Sequence, residues 1–166
     1  MARQLWLLRH AEAEPHGSRA DEERKLTARG ERQARAVGIA LARLGVQFDA
    51  ILTSPKSRAR QTAEIAAGEW GSEQRKRVRT HSPLAAGFDA ARARDAVAEI
   101  EPDGRVLLVG HEPDFSRLVA DLTGGVVDVK KGGLAVVRLE GLGGELALLL
   151  RPREFSLIAG LPVDGH

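Results

Sequence analysis

The period of the apolar positions changes several times along the chain, and each change marks an element. Residues 5–8 (Leu-Trp-Leu-Leu) form a short continuous apolar run, and Arg9 and His10 follow at once. A run that is apolar on both faces and too short for a helix predicts a strand buried on both sides, as in a parallel sheet covered by helices. Residues 105–110 (Arg-Val-Leu-Leu-Val-Gly) repeat this pattern and end in Gly110-His111-Glu112-Pro113. Residues 48–53 predict a further strand ending in Ser54-Pro55, and residues 78–81 a shorter one.

Between these runs the spacing becomes helical. Thr27 reads as an N-cap for a helix to residue 44. Its apolar face is drawn from Ala34, Val37, Ile39, Leu41 and Leu44, with Arg29, Glu31, Arg32 and Arg35 outside that face and Gly45 as the C′ residue. Ser54 and Pro55 read as the N-cap and first residue of a second helix that carries Arg58 and Arg60 and runs to residue 70. Residues 71–76 and 83–87 read as loops. A helix over 90–100 ends at the turn Glu101-Pro102-Asp103-Gly104, and another over 113–122 stops at Gly124-Gly125. Residues 134–139 and 145–150 flank Gly141-Leu142-Gly143-Gly144, the pattern of a hairpin with a four-residue loop. Residues 12–25 are polar and read as a surface loop, and the tail 151–166 as partly helical at best. There is no repeat, linker or low-complexity stretch, so a single domain over 1–166 is expected. Strands that alternate with helices and close on a hairpin predict an α/β fold in three α/β/α layers, with a mostly parallel sheet and at least one antiparallel strand.

Composition narrows the function. Apolar residues make up 43% and charged residues 29%, an ordinary globular balance. Aromatics are 4% with no tyrosine, which argues against a stacking platform for single-stranded nucleic acid, and a net charge of +2 implies no nucleic-acid partner by itself. The lack of cysteine excludes disulfides, thiolate metal sites and cysteine nucleophiles. No apolar run approaches a membrane span, so no membrane partner is expected. The N-terminal apolar run is too short for a signal-peptide core and Arg9 interrupts it, so the expected compartment is the cytoplasm.

In a parallel sheet the ends marked by Arg9-His10, Ser54-Pro55 and Gly110-His111 lie at one edge, where open α/β sheets bind ligands. Arg58, near the start of the second helix, can reach back to that edge because helical side chains tilt toward the N-terminus. Two histidines, two arginines and a helix N-terminus around one point favour an anion, and the guanidinium fork suits a phosphoryl group. An imidazole can also act as a covalent nucleophile. His10, His111, Glu12 and Glu112 could hold a divalent ion, but two arginines aimed at the same point would repel it, so no metal and no cofactor is expected. His16 and His81 are expected on the surface or in loops, and His166 at the terminus is expected to be disordered.

These residues resemble the histidine phosphatase superfamily, the phosphoglycerate-mutase-like enzymes. Leu8-Arg9-His10-Ala11 stands in the place of its Leu-x-Arg-His signature, with Ala11 where the family has glycine. Leu26-Thr27-Ala28-Arg29-Gly30-Glu31-Arg32-Gln33-Ala34 is similar to its Leu-Thr-x-x-Gly-x-x-Gln-Ala block. Ser54-Pro55-Lys56-Ser57-Arg58-Ala59-Arg60-Gln61-Thr62 is similar to its Ser-Pro-x-x-Arg-Ala-x-Gln-Thr block, and Val109-Gly110-His111 completes the set in family order.

The resemblance implies that His10 is the phosphorylated nucleophile and that Arg9, Arg58 and His111 form the phosphate pocket. It also implies a six-stranded sheet with one antiparallel strand. Within the superfamily the length, the Arg-His-Ala-Glu-Ala opening and the Gly-His-Glu-Pro segment most resemble the SixA-type phosphohistidine phosphatases. The family's mutases and sugar-phosphate phosphatases usually carry an insertion that covers the pocket and supplies a carboxylic acid to protonate the leaving group. Here residues 83–104 have room for little more than one helix, and Ser82-Pro83-Leu84-Ala85-Ala86-Gly87 holds no carboxylate. Glu12 and Glu112 stand as candidate general acids, with Glu14 and Asp89 behind them. The leading expectation is a metal-independent phosphatase acting through phospho-His10 on a phosphohistidine protein. A phosphatase of small phosphate esters, or a mutase, is the alternative. A non-catalytic polyanion-binding module using Lys130, Lys131, Arg151 and Arg153 is the reading from another class.

Overall fold

A computed structural model describes residues 2–164 of the chain; His166 and its expected disorder lie outside the described residues. Six strands form one sheet: β1 (Gln4–Arg9), β2 (Ala50–Thr53), β3 (Val78–Thr80), β4 (Arg105–Gly110), β5 (Leu134–Glu140) and β6 (Gly143–Leu150). Their order is β3-β2-β4-β1-β5-β6. The pairs β1–β4, β4–β2 and β2–β3 are parallel, while β5 is antiparallel to both β1 and β6, so one strand runs against the other five. The α-helices among the described residues are α1 (Ala28–Arg43), α2 (Ser57–Ala67), α3 (Ser72–Arg75), α4 (Ala90–Ala98), α5 (Asp114–Thr123) and α6 (Pro152–Ala159).

The apolar run of β1 explains the layering. Successive strand side chains point to opposite faces. Trp6 and Leu8 therefore join the core under α1, α2 and α6, while Leu5 and Leu7 join the core under α4 and α5. Leu5, Leu7 and Leu8 are fully buried, each stabilising the fold by about 1.5–3 kcal/mol relative to exposure. The three-layer α/β/α, mostly parallel architecture is therefore observed.

Several local expectations are corrected. Thr27 does cap α1, its hydroxyl accepting from the Gly30 amide at 3.0 Å, but Leu44 lies outside the core at 53% exposure and Ile39 is only partly buried. Ala34, Val37 and Leu41 are buried as expected, and Gly30 and Gly38 join them where neighbouring backbone comes very close. A Cβ on Gly30 would lie 1.9 Å from the Glu12 carbonyl oxygen, and one on Gly38 would lie 2.5 Å from that of Ala66. Ser54 is not the cap of α2, which begins at Ser57 behind Lys56 and ends at Ala67 rather than residue 70. The expected loop 71–76 contains α3, and the expected loop 83–87 overlaps a 3-10 turn at Ser82–Ala85. The hairpin turn has two residues rather than four, because Gly143 and Gly144 stay in the ladder opposite Glu140 and Leu139. The polar stretch 12–25 is tied to the body by an Ala13–Leu26 bridge and holds a 3-10 turn at Asp21–Glu23.

With β4 between β2 and β1, the carboxyl ends of these three strands lie side by side. The Ser54 amide donates to the Val109 carbonyl at 2.9 Å, and the His10 amide donates to the Gly110 carbonyl at 3.0 Å.

Candidate active site

Arg9 closes β1, His10 follows it, His111 follows β4, and Arg58 is the second residue of α2. All four line one cavity of about 310 Å3 at this edge of the sheet. The His10 and His111 rings lie 5.2 Å apart, centroid to centroid. His10, Arg58 and His111 are almost wholly buried.

The ring nitrogens are individually placed. His10 Nδ1 lies 2.7 Å from the Ala11 carbonyl oxygen. A carbonyl only accepts, so Nδ1 carries the proton and donates, leaving the Nε2 lone pair free. His111 Nε2 lies 2.7 Å from the Ser54 hydroxyl, which also accepts from the Lys56 amide at 3.2 Å. Arg58 Nη1 donates to the Asp21 carbonyl at 2.7 Å, and its Nη2 lies 3.4 Å from an Asp21 carboxylate oxygen. Arg9 Nη1 donates to the Val129 carbonyl at 3.0 Å. Arg9 Nε, Arg58 Nε and His111 Nδ1 are buried and have no partner among the described residues. Unused polar atoms of this kind are expensive unless a ligand meets them.

Charge and burial set the protonation states. Burial pushes the pKa of His10 down to about 3; its bond to Ala11 opposes this, and His111, Arg58 and Arg9 reinforce it. Burial, Arg58 and Lys56 push His111 down to about 3 as well, against the opposing charge of Asp21. Both imidazoles are therefore neutral at neutral pH. Burial lowers the pKa of Arg9 and of Arg58, opposed by Glu112 and by Asp21 respectively, and a guanidinium stays charged regardless. For Asp21 burial acts upward, but hydrogen bonds from Lys56 and Arg24 and the charge of Arg58 hold its carboxyl well below the usual range.

The folded pKa values of both imidazoles lie below the unfolded value of 6.5, so the unfolded chain takes up these protons first. Their contribution to stability is complete above pH 6.5 and is lost as the pH falls toward 3. Urea midpoints are expected to drop between pH 6.5 and 4, and to drop less in His111→Asn. Equal pH dependence in the two proteins would contradict the buried neutral imidazole.

A family model described as histidine phosphatase superfamily (branch 1) matches residues 5–85. Structural likeness covers nearly the whole chain. A protein histidine phosphatase SixA solved with tungstate aligns with a TM-score of 0.78 and 24% identity over 90% of this chain and 97% of its own. The chain belongs to the histidine phosphatase superfamily. A SixA-type protein of Nakamurella multipartitia aligns with a TM-score of 0.73 and 27% identity over 92% of this chain and 97% of its own. An uncharacterised protein of Picosynechococcus sp. is 34% identical over 147 residues, 81% of this chain and 84% of its own. The superfamily makes this chain a phosphatase.

Other residues of the superfamily blocks hold backbone. Gln33 Oε1 accepts from the Glu12 amide at 2.9 Å, Gln61 Oε1 from the Leu26 amide at 2.8 Å, and the Thr62 hydroxyl from the Ala11 amide at 3.1 Å. Together they pin the chain that leaves His10.

The candidate acids are placed differently. Glu112 lines the cavity, with its carboxylate accepting from the Ser116 amide at 2.8 Å and from the Ser116 hydroxyl. Glu12 lines a neighbouring cavity, with a carboxylate oxygen 3.8 Å from Arg29 Nε. Glu14 and Asp114 also line the site, whereas Asp89 caps α4 through the Arg92 amide. Ala85 and Ala86, from the segment without a carboxylate, form part of the wall. His16 is exposed and lines the cavity; His81 is half-buried, edge-on to Phe88, and does not.

Sequence reasoning missed Asp21, Lys56 and Arg24. Lys56 Nζ lies 3.1 Å from Asp21, and Arg24 holds the other Asp21 oxygen at 2.9 Å. Lys56 stood inside a recognised block and could have been found there. Asp21 and Arg24 lie in a polar stretch without period, and only the folded chain brings them to Arg58.

Proposed function

We propose that the chain hydrolyses phosphohistidine on a protein through a phosphoryl intermediate on His10. One observation carries this reading: His10 is neutral, with Nδ1–H bonded to the Ala11 carbonyl and Nε2 left as a nucleophile among Arg9, Arg58 and His111. Nε2 attacks phosphorus, the bond to the leaving group breaks, and the leaving group takes up a proton. Water then attacks the phosphorylated His10, releasing inorganic phosphate and restoring the neutral imidazole. The two guanidinium groups, together with the unpartnered Nδ1 of His111, clamp the phosphoryl oxygens, whose charge needs stabilising more than the phosphoryl group needs new bonds from the protein.

The substrate class rests on the leaving group and on access. A positioned general acid typically contributes about 10²–10⁴-fold. Glu112, the cavity-lining carboxylate closest in sequence to His111, is held by two bonds from Ser116. A phosphorylated imidazole needs less help, since solvent can protonate its ring and it leaves as a neutral base. The segment between β3 and β4 holds one 3-10 turn and α4, and α4 packs on the sheet through Ala93 and Val97 instead of covering the cavity. A protein-borne side chain can therefore enter.

The test compares kcat/KM for a phosphohistidine protein, p-nitrophenyl phosphate and 3-phosphoglycerate. The expected order is that order. A preference for the alkyl ester would overturn the reading and direct mutation to Glu12 and Glu112. Activity is expected to persist in EDTA and to be inhibited by vanadate, because the cavity is already cationic; loss in EDTA with rescue by a divalent ion would refute this. With His10 held near pKa 3, the acid limb of kcat/KM for p-nitrophenyl phosphate, corrected for the substrate's own ionisation, is expected well below pH 6.5. A limb centred at 6.5 would show that His10 is an ordinary exposed imidazole.

A further inference from the structure

The basic residues offered in sequence for polyanion binding, Lys130, Lys131, Arg151 and Arg153, converge beside the active site. A second cavity of about 500 Å3 shares Arg9 and Lys131 with the cavity of His10. Its other cations are Arg29, Lys130, Arg151 and Arg153, against the single carboxylate of Glu12. A third cavity of about 410 Å3 continues from it, sharing Arg29, Gln33, Pro152 and Arg153 and adding Arg32 and Arg35. The three form one trough leading away from His10. Lys131 and Arg153 make no ion pair with any described residue.

A carboxylate stands in the wall at the far end of the trough. Residues 161–164 run there without helix or strand, and Leu161, Pro162 and Val163 form part of its wall. The Asp164 carboxylate lies 3.4 Å from Arg29 Nε and 3.9 Å from Arg32 Nη2. A carboxylate therefore already pairs with bases at this end.

We infer that this trough docks an acidic, extended segment of the substrate protein flanking its phosphorylated residue. The inference rests on the reading of His10's cavity as the phosphoryl-transfer site. Carboxylates favour a polypeptide over a nucleic acid or polyphosphate as occupant. Glu12, Asp128, Glu154 and Asp164 stand among the cations and pair with Arg29, Lys130, Arg151 and Arg32. A continuous row of phosphates would meet these acids as well as the bases, whereas spaced side-chain carboxylates can select the bases that remain. Opposite charge at such a rim steers encounter and orientation more than it adds raw affinity.

The experiment uses the whole chain and the double variant Lys130→Glu/Arg153→Glu, neither residue lining the cavity of His10. Polyglutamate and polylysine are tested as inhibitors of p-nitrophenyl phosphate hydrolysis. Polyglutamate is expected to raise the apparent KM in the native protein, with inhibition weakened about tenfold in the variant and uninhibited kcat unchanged. Polylysine is expected to have no effect. Phosphohistidine peptides with glutamate flanks should be hydrolysed with about tenfold higher kcat/KM than lysine-flanked ones, and the variant should lose that preference. Polyglutamate inhibition that is the same in both proteins overturns the docking site. Inhibition by short polyphosphate or an oligonucleotide that far exceeds that by polyglutamate and is lost in the variant also overturns it, in favour of a phosphate-rich ligand. Charge-dependent inhibition by polyglutamate without hydrolysis of either phosphohistidine peptide leaves the docking site standing and instead refutes the phosphohistidine reading.

Discussion

His10→Ala is expected to abolish turnover of every phosphate substrate, by roughly 10⁴–10⁶-fold, the scale seen when the nucleophile of a covalent enzyme is removed. The size follows from the role proposed for it. Arg9, Arg58 and His111 can still bind a phosphoryl group in the variant, but nothing in the cavity replaces the Nε2 lone pair that the Ala11 hydrogen bond leaves exposed. His111 is the nearest imidazole, and its Nε2 is engaged with Ser54. The loss should be chemical rather than structural, because the His10 side chain makes one hydrogen bond and lies outside both main apolar clusters. Circular dichroism and the urea midpoint at pH 7 are therefore expected to stay close to native. After rapid quenching without acid, mass spectrometry of the native protein should find phosphate on the peptide containing His10. Phosphate on another residue with His10 unmodified, or substantial turnover by the alanine variant, would overturn the assignment.

How far the sequence could lead depended on whether a signal was local. The strands β1 and β4 were legible because burial on both faces leaves a continuous apolar run, and β4 has the bounds expected from the sequence. The start of α1 was legible because Thr27 satisfies the Gly30 amide through three residues of chain. Ser54 misled for a physical reason. It has the residue type of an N-cap, but its hydroxyl bonds the Lys56 amide and His111, and the helix starts three residues later. The hairpin turn misled because glycine marks both a turn and a ladder position with close backbone, and a Cβ on Gly144 would lie 2.7 Å from the Arg138 carbonyl oxygen. Gathering Arg9, His10, Arg58 and His111 at one edge followed from strand ends and a helix start. Asp21 reaches Arg58 across 37 residues through a loop without period, and the basic trough joins residues from α1, the chain before β5 and the start of α6. No spacing in the sequence encodes either one.

Arg58→Ala is expected to lower kcat/KM by about 10²–10³-fold, the cost of losing one charge-assisted donor aimed at developing charge. Arg60→Ala should leave activity within about twofold, as surface substitutions away from a site generally have small effects. The contrast is the test, because both residues lie on α2 two positions apart and so face different directions. Arg58 is 5% exposed and lines the cavity, with its two terminal nitrogens on Asp21 and its Nε unpartnered, whereas Arg60 is exposed and does not line it. Removing Arg58 also removes a positive charge that depresses both imidazole pKa values, so the acid limb of the residual activity should move toward higher pH. A merely structural role for Arg58 would lower stability and activity together without moving that limb. Asp21→Asn separates the two contributions further, since it keeps the size of the side chain while removing the charge that holds the guanidinium. It should reduce kcat/KM by less than Arg58→Ala and leave the fold intact. If Arg60→Ala proves as damaging as Arg58→Ala, α2 does not present Arg58 to the phosphoryl group, and the clamp must be rebuilt from Arg9, Lys56 and His111.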